Sequence, residues 1–253
     1  MDKNIRKNSK YLGHKPVSAV LAFVSILYAY IYKYSYVVTA NEHSSNFSNL
    51  KINNISINHQ YTKSLDFEKK FNVFIQNKLF KGITYYSILR PLYEIQITKM
   101  FSSYKQYFSH FISCNVGVRE NRWCLKCPKC AFIFLALAPF ISTANIKKIW
   151  GSNLFLDQNI TDNILKLIDN SPKPFDCVGT KEECRLALYL CERNKLLEGV
   201  YESTKKELIK YIQNYNYEKN LKKYLQTYKR ENNIPKAIIP KVEKFWKERL
   251  EIE

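Results

Sequence analysis

The longest apolar run lies near the start of the chain and is followed at once by a shorter one. The run VSAVLAFVSILYAYIY extends from Val17 to Tyr32, which is shorter than the ~20 residues needed to cross a membrane. The next residues, YSYVVTA, are β-branched and aromatic and predict a strand over about 34–40. We therefore expect a fully buried helix over about 16–32 that leads into a central strand, and we do not expect a membrane span.

A second helix and a second strand follow a polar loop. Large apolar residues recur at helical spacing from Leu65 to about Lys78. The run ITYYSIL then predicts a strand that ends at Arg90-Pro91, and a short helix is expected over Tyr93–Phe101. Alternating helices and strands are typical of a parallel α/β sheet.

Strand patterns stop at about Gly151, and the rest of the chain predicts helices. Thr180 and Glu183 have capping-box spacing, as do Thr204 and Glu207. Three cysteines of this region, Cys177, Cys184 and Cys191, are interpreted as small core residues. We expect residues 1–152 to form an α/β domain, and residues 153–253 to form a helical C-terminal region.

Composition narrows the choice of partner only partly. The formal net charge of the 253-residue chain is +18, and a strong positive balance attracts polyanions such as nucleic acid. The Lys and Arg residues are dispersed, however, and the abundance of Lys, Asn, Ile and Tyr is typical of AT-rich coding. We therefore do not expect nucleic acid as the partner. With no secretory signal visible, a cytoplasmic location is expected.

Four of the seven cysteines lie in the stretch SCNVGVRENRWCLKCPKC. Cys124, Cys127 and Cys130 are separated by two residues each, and Cys114 precedes them. A C-x2-C unit directs two sulfurs at one ion, and four thiolates suit tetrahedral Zn²⁺. A disulfide pair is disfavoured in a reducing cytosol, and a redox C-x2-C would leave two thiols unused. We expect a structural zinc site, in which Gly117 lets the chain bend back.

Three polar clusters occupy positions where α/β proteins bind ligands. The first is NEHSSN, from Asn41 to Asn46, directly after the first strand. The second runs from Asn58 to Ser64, where Ser64 can cap the next helix and leave backbone amides open to an anion. The third is Arg90, which Pro91 holds in place and which suits carboxylate or phosphate. A solvated turn, an ordinary helix entry and a surface arginine fit the same local patterns.

Several segments in order resemble the UDP-N-acetyl-α-D-muramoyl-L-alanyl-L-glutamate epimerase family of peptidoglycan synthesis. They are GHKPVSAVLAF, VVTANEHSSN, INHQYTKSLDFE, YYSILRPLYEIQI and FISCNVGVRENRWCLKCPKCAFIFLALAPF, with PFDCVGTKEECRLAL further on. The resemblance extends from about Leu12 to Leu190. It implies an α/β fold with a partial adenine-nucleotide α-hydrolase-like (Rossmann-like) parallel sheet, a four-cysteine zinc site and an all-helical C-terminal appendage.

The reaction implied by the resemblance inverts the terminal L-glutamate of UDP-MurNAc-L-Ala-L-Glu to D-glutamate, with ATP and Mg²⁺. Adenylation would remove the negative charge that makes the α-proton of a carboxylate so weakly acidic. A base could then take the proton, and reprotonation from the other face would invert the centre. The family's ATP loop, Ser-Gly-Gly-x-Asp-Ser, has no counterpart here, because no two glycines are adjacent. The chain thus resembles the carboxyl-terminal part of a longer enzyme, either paired with a separate amino-terminal half that carries this loop or a decayed fragment.

Site residues are assigned as expectations on this basis. The acid/base candidates are Glu42, His43 and His59, and the substrate-binding candidates are Asn41, Ser44, Lys63 and Arg90. Two other functions stay open. A 7-cyano-7-deazaguanine synthase-like enzyme of the same fold would line its pocket with stacking aromatic residues. A non-enzymatic, zinc-stabilised nucleic-acid binder would need a basic stripe near the cysteines, for which Arg119, Arg122, Lys126 and Lys129 are a modest start.

Overall fold

The computed structural model describes residues 16–48, 50–170, 178–213 and 216–250. Its strands are β1 (Tyr36–Thr39), β2 (Leu50–Ile52), β3 (Ile55–Ile57) and β4 (Thr84–Ser87). Its α-helices are α1 (Val17–Ile31), α2 (Leu65–Phe74), α3 (Glu94–Ser102), α4 (Pro128–Leu137), α5 (Thr143–Trp150), α6 (Gln158–Ile168), α7 (Lys181–Arg193), α8 (Glu202–Lys210), α9 (Tyr217–Leu221) and α10 (Ile239–Leu250). The protein is thus mixed α/β, with a small parallel sheet and mostly helices.

The parallel sheet predicted from the alternating pattern consists of β1 and β4. Their register runs from Tyr36 opposite Thr84 to Thr39 opposite Ser87. The polar loop between β1 and α2 contains an unpredicted antiparallel hairpin, β2–β3. Asn53 and Asn54 at its turn have φ angles of 47° and 63°, the left-handed conformation that two-residue hairpin turns require and asparagine tolerates.

Helices cover both faces of β4. On one face Tyr85 belongs to a core with Ile26 of α1 and Phe71 of α2. On the other face Tyr86 packs with Met100 of α3 and Trp246 of α10. The last helix of the chain therefore reaches back to the sheet, and β4 is buried on both sides as parallel strands usually are.

The prediction that the first helix is fully buried is wrong, although its bounds are close to those expected. Ala22, Ile26 and Ala29 are buried, whereas nine large apolar residues of α1 have 45–59% of their surface exposed. The cause is the narrow sheet, because within the described residues a pair of strands offers α1 a contact surface on one side only. No helix of the described ranges has both the length and the apolar character needed to cross a bilayer.

The largest core lies beyond the sheet. Helix α4 is buried along most of its length and packs against α6 and α7 in a cluster that extends from Tyr93 to Leu225. This cluster includes residues on both sides of position 152, and the domain boundary expected there stays a prediction.

Of the two capping boxes predicted for helix starts in the C-terminal region, one is present in the structure and the other is not. The Thr180–Glu183 capping box is present, with Glu183 accepting from the Thr180 backbone N–H at 3.0 Å. The second predicted box is wrong, because α8 begins at Glu202 after Tyr201 and Thr204 lies inside the helix. Cys184 and Cys191 are buried core residues as predicted. Cys177 lies outside the described residues.

Candidate functional site

The four clustered cysteines meet at one point. Their Sγ atoms all lie within 4.8 Å of one another. The separation is 4.0 Å for Cys114–Cys127, 3.8 Å for Cys124–Cys130 and 3.5 Å for Cys127–Cys130. Sulfurs in a tetrahedron at ~2.3 Å from one zinc ion are about 3.8 Å apart. The arrangement therefore fits a single metal ion of this size.

Backbone hydrogen bonds orient two of these thiols. Cys127 caps the start of α4, where its Sγ accepts from the backbone N–H of Cys130. The Sγ of Cys114 accepts from the N–H groups of Gly117 at 3.1 Å and Cys124 at 3.3 Å. Burial alone would raise the pKa of the Cys114 thiol, but these donors outweigh burial and lower the pKa to about 6. These donors thus favour the thiolate at Cys114, which is the form that binds metal, whereas burial raises the pKa of the Cys124 and Cys130 thiols.

Gly117 is required by close packing in this loop. A Cβ atom at this position would lie 2.3 Å from the backbone oxygen of Arg122. The predicted role of Gly117 in bending the chain is confirmed, since any side chain would push apart the segments that carry Cys114 and Cys124.

A cavity of about 790 Å³ lies between the loop after β1, the β2–β3 hairpin and the start of α2. Most of its lining residues have polar side chains, and charges of both signs are present. The lining residues are His43, Asn46, Phe47, Ser48, Ser56, Asn58, Tyr61, Ser64, Leu65, Asp66, Lys69, Lys229 and Glu231. This volume falls in the range of small-molecule and cofactor sites.

The structure brings the first two polar clusters of the sequence together beside this cavity. Asn58 donates a hydrogen bond to the backbone oxygen of Ser45 at 2.8 Å. Asn46 accepts from the backbone N–H of Leu65 at 2.7 Å. Ser64 caps α2 as predicted, its hydroxyl oxygen accepting from the N–H of Phe67. The loop after β1 is thereby fixed to the start of α2.

Arg90, the third cluster, is fully buried and connects the other two. Its Nη1 donates to the carbonyl oxygen of Glu42 at 2.9 Å and to the hydroxyl of Ser45 at 2.7 Å. Its Nη2 donates to the carbonyl oxygen of Lys63 at 2.6 Å and to Glu68 Oε2 at 3.1 Å. Arg90 does not line the cavity, and its observed contacts are with the loops that shape it.

His43 lies in the cavity wall at the first turn after β1. Its ring makes edge contacts with Tyr93 and Phe47, with ring centroids 5.0 and 5.4 Å away. Burial, with the positive charges of Lys229 and Arg90, lowers the pKa of His43 to about 4. The imidazole is therefore neutral at neutral pH, and it can both donate and accept one hydrogen bond.

The other predicted site residues flank the cavity without lining it; they are Asn41, Glu42, Ser44, His59 and Lys63. Ser44 donates to Glu42 Oε1 at 3.2 Å, and Asn41 donates to Thr39 Oγ1 at 3.2 Å. Their roles in catalysis and binding stay predictions.

Besides Asp66, the lining has three charged residues for which the sequence predicts no site role. Lys69 lies on α2, while Lys229 and Glu231 belong to the C-terminal region, which is expected to form a separate helical part. The backbone N–H of Lys229 donates to the carbonyl oxygen of Pro91 at 2.9 Å, and Glu231 pairs with Lys69 at 2.6 Å. No local pattern marks Lys229 and Glu231, because a long-range return of the chain brings them to the cavity.

The basic residues near the cysteines are interrupted by an acidic one. Glu120 lies among them and pairs with Arg122, Nη2 to Oε2, at 2.5 Å. Lys129 lies over the ring of Phe132. This geometry gives the nucleic-acid alternative no additional support.

These features define a mixed α/β protein with four clustered thiols that could hold a metal ion and a cavity, lined mostly by residues with polar side chains, at the carboxyl end of a parallel strand. Two family models match the chain: the MurL N-terminal domain matches residues 3–88, and the MurL C-terminal domain matches residues 110–215. Together they account for most of the sequence, and the chain belongs to the MurL family. The resemblance noted in the sequence is confirmed.

Three curated relatives carry the name UDP-N-acetyl-alpha-D-muramoyl-L-alanyl-L-glutamate epimerase. The protein from Xanthomonas oryzae is 36% identical over 193 residues, which are 73% of this chain and 42% of the relative. Those from a Micromonospora species and from Salinispora tropica are 34% and 33% identical over 70% of this chain, and 41% and 40% of their own lengths are matched. The matched region is thus about two fifths of each relative. No solved structure matches the chain.

Proposed function

We propose that this chain supplies the substrate-binding and metal-binding part of an enzyme that inverts the terminal L-glutamate of UDP-MurNAc-L-Ala-L-Glu. The observation that carries the proposal is its 36% identity over 193 residues to a protein named as that epimerase. The two family ranges contain both the loop of His43 and the four cysteines. The site features and the family likeness therefore fall in the same parts of the chain.

Charge and size support an anionic substrate in the cavity. Lys69 and Lys229 lie in its wall, and ammonium groups suit the phosphates and carboxylates of a nucleotide-linked peptide. Asp66 also lines the cavity, but its charge is paired with Lys70 at 2.7 Å. Glu231 shares the charge of Lys69, so Lys229 is the stronger anchor of the two. At about 790 Å³ the cavity holds a substantial part of such a ligand.

His43 is our candidate for proton transfer at the glutamyl α-carbon. It lies in the cavity wall, and its pKa of about 4 reflects burial and the adjacent charges of Lys229 and Arg90. An anionic ligand bound at Lys229 would offset one of these charges and raise the pKa of His43 toward neutrality, where an imidazole serves best as a base. Glu42 and His59 are further candidates for the second proton transfer that inversion requires.

Arg90 acts in this proposal as a positioning residue. It joins the carbonyl oxygens of Glu42 and Lys63 with the Glu68 carboxylate, so the loops on either side of the cavity share one rigid base. The substrate-binding role predicted for Arg90 would require these hydrogen bonds to be exchanged for bonds to the ligand.

Zn²⁺ fits the four thiols, and we propose Cys114, Cys124, Cys127 and Cys130 as its ligands. With four protein ligands the ion would have a structural role, fixing the loop before α4 to the large core.

ATP and Mg²⁺ do not fit the residues of this chain in the same way. The sequence has no adjacent glycines and thus no glycine-rich phosphate loop. Among the described residues, the four cysteines are the one group of three or more side chains that could hold a metal ion. Thiolates do not suit Mg²⁺, which prefers oxygen ligands. Activation of the substrate carboxylate is therefore assigned to a partner polypeptide that carries the Ser-Gly-Gly-x-Asp-Ser loop.

The proposal is tested by co-expressing the full chain with such a polypeptide and supplying ATP, Mg²⁺ and the UDP-linked dipeptide in D₂O. Inversion should appear as D-glutamate in the hydrolysed product, with one solvent deuterium at the α-carbon. The control omits this chain. Retention of L-glutamate without deuterium uptake, by a complex that has bound metal, would overturn the proposal.

A further inference from the structure

The parallel sheet is closed along the outer edge of β4. Asn72 of α2 donates to the backbone oxygen of Tyr85 at 2.6 Å and accepts from its N–H at 2.8 Å, as a neighbouring strand would. Gln76, in the π-helical turn Ile75–Leu79 that follows α2, donates to the oxygen of Ile83 at 2.6 Å. The side chains at positions 72 and 76 thus take the place of a neighbouring strand.

The outer edge of β1 has no comparable cover. Thr84 and Ile88 donate to the oxygens of Ser35 and Thr39, so the backbone groups of Tyr36 and Val38 point away from β4. Within the described residues, β4 is the one strand hydrogen-bonded to β1. The side chains of Tyr36 and Val38 are also 47% and 49% exposed. An apolar parallel strand with an open edge and an open face is a template for strand addition.

Helix α1 extends the same open surface. Nine of its large apolar side chains are exposed, among them Leu21, Val24 and Tyr28. A helix that is apolar on all sides is normally enclosed by protein, and apolar patches of this extent on a soluble surface mark an interaction site. The open strand and the open helix face adjoin, because α1 packs on β1 and leads into it.

We propose that the α1 face and the β1 edge together form a docking surface for a second polypeptide of α/β type, whose parallel strand pairs with β1 and whose apolar helix covers α1. The partner is the part of the enzyme that this chain does not contain, since the curated relatives are matched over only 40–42% of their length. This inference rests on the proposed function, and it locates where the two parts join.

The position of the surface has a consequence for the site. A strand added in parallel beside β1 ends next to the loop that carries His43, because the carboxyl ends of parallel strands meet at one edge of a sheet. Ligand groups supplied by the partner would therefore face the cavity of this chain. The open edge and the cavity are thus two sides of one composite site.

The test uses the full chain and, as partner, the portion of the Xanthomonas oryzae relative that lies outside its match to this chain. Association is measured by calorimetry, and hydrogen exchange is followed at the amides of Tyr36 and Val38. We expect a complex in which both amides become protected. Leu21→Asp should weaken association by at least about tenfold. Leu156→Asp is the matched control, because Leu156 is 55% exposed outside this surface and Leu21 is 58% exposed within it.

Other occupants give different results, and each would overturn the inference. A second copy of the chain would produce a dimer that Leu21→Asp dissociates without any partner. The chain's own residues 1–15 would give amide protection of the isolated chain that is lost on their removal. A lipid surface would give binding to phosphatidylglycerol vesicles that Leu21→Asp abolishes. Failure of the relative's portion to associate would also overturn it.

Failure of this inference is distinguishable from failure of the proposed function. A complex that depends on Leu21 but leaves L-glutamate unchanged would refute the proposed function and support the docking surface. Val38→Pro removes an outward-pointing N–H from β1. If the complex stays active and intact with both Leu21→Asp and Val38→Pro, the proposed function is supported and the docking surface is refuted.

Discussion

Arg90 and Glu68 form an ion pair that is closed off from solvent beneath the cavity. Arg90 Nη2 lies 3.1 Å from Glu68 Oε2, and the two side chains are 0% and 1% exposed. Burial raises the pKa of the Glu68 carboxyl, and the charge of Arg90 and its hydrogen bond oppose this. Such a pair is weak evidence of net stabilisation, but removing one member leaves an uncompensated buried charge.

Glu68→Ala is therefore expected to reduce the free energy of unfolding by ~3–5 kcal/mol. The change leaves the Arg90 guanidinium buried without its counter-ion. Denaturant unfolding followed by circular dichroism measures the loss. Lys206→Ala provides the control, because its pair with Glu202 is exposed and its removal should leave the unfolding midpoint unchanged. Equal midpoints for the two variants would contradict the structural role of the buried pair.

Removal of one metal ligand should release the ion and destabilise the large core. We expect Cys127→Ala to lose a stoichiometric metal, measured by inductively coupled plasma mass spectrometry, because Cys127 is both a proposed ligand and the cap of α4. The apparent melting temperature should fall by more than about 10 °C, since metal-binding free energy contributes directly to folding.

Cys191→Ala separates metal loss from the loss of any buried thiol. Cys191 is fully buried in the same core but lies outside the four-thiol group. Its replacement should retain one metal per chain, and a chelator should lower the melting temperature of this variant as it does that of the wild type. A wild-type chain that is purified from zinc-supplemented medium and remains free of metal would refute the site.

Gly117→Ala should impair metal binding without altering any ligand. The added methyl group would meet the Arg122 oxygen at 2.3 Å, so the loop must open and move Cys114 away from Cys124. Metal content and zinc affinity, measured by competition with a chromogenic chelator, should both fall. Gly151→Ala is the control, because its Cβ would have open space around it at a φ of 83°. It should cost about 1 kcal/mol of stability and keep the metal.

Features that depend on short-range spacing could be predicted from the sequence, and features set by the width of the sheet could not. The cysteine site follows from C-x2-C spacing, and the Ser64 and Thr180 caps follow from local hydrogen-bonding chemistry. The bounds of α1 were predictable for the same reason. Its burial was not, because burial depends on how many strands stand beside β1.

The residues around the cavity also divide into those that the sequence predicts and those that only the tertiary structure places there. The loop of His43 was recognisable as six successive polar residues after a strand. Arg90 was recognisable as a polar residue at a strand end in the same way. In the structure it is buried and paired with the Glu68 carboxylate. Lys229 arrives from the C-terminal region through a backbone hydrogen bond to Pro91. A contact between residues so far apart in the sequence produces no periodic pattern of apolar and polar residues from which it could be predicted.

The stability of the protein should decline between pH 6.5 and about 4 in a way that depends on His43. The pKa of His43 is lowered in the folded state from 6.5 to about 4, by burial and by Lys229 and Arg90, against a smaller opposite effect of Glu231. Because the unfolded chain takes up the proton first, the contribution of neutral His43 is complete above pH 6.5 and is lost as the pH falls to about 4.

His43→Gln should therefore flatten the melting temperature as a function of pH across this window, while leaving the acid transition below pH 4 in place. Differential scanning calorimetry from pH 3.5 to 8 measures the difference from wild type. His110→Gln, at an exposed histidine, should leave the curve unchanged. A His43→Gln curve parallel to that of the wild type would show that His43 is not held neutral.

Lys229→Ala is expected to weaken binding of the UDP-linked dipeptide to the full chain by about tenfold or more, since charge-assisted hydrogen bonds contribute about 1.5–3 kcal/mol. Lys69→Ala should have a smaller effect, because Lys69 is already paired with Glu231 at 2.6 Å. Titration calorimetry at two salt concentrations separates the electrostatic part, and the salt dependence should shrink in the Lys229 variant. Lys78→Ala, an exposed lysine outside the cavity lining, is the matched control and should bind as the wild type does. If the Lys78 and Lys229 variants weakened binding equally, net charge rather than the cavity would account for the affinity, and the anionic ligand would have to be placed elsewhere on the protein.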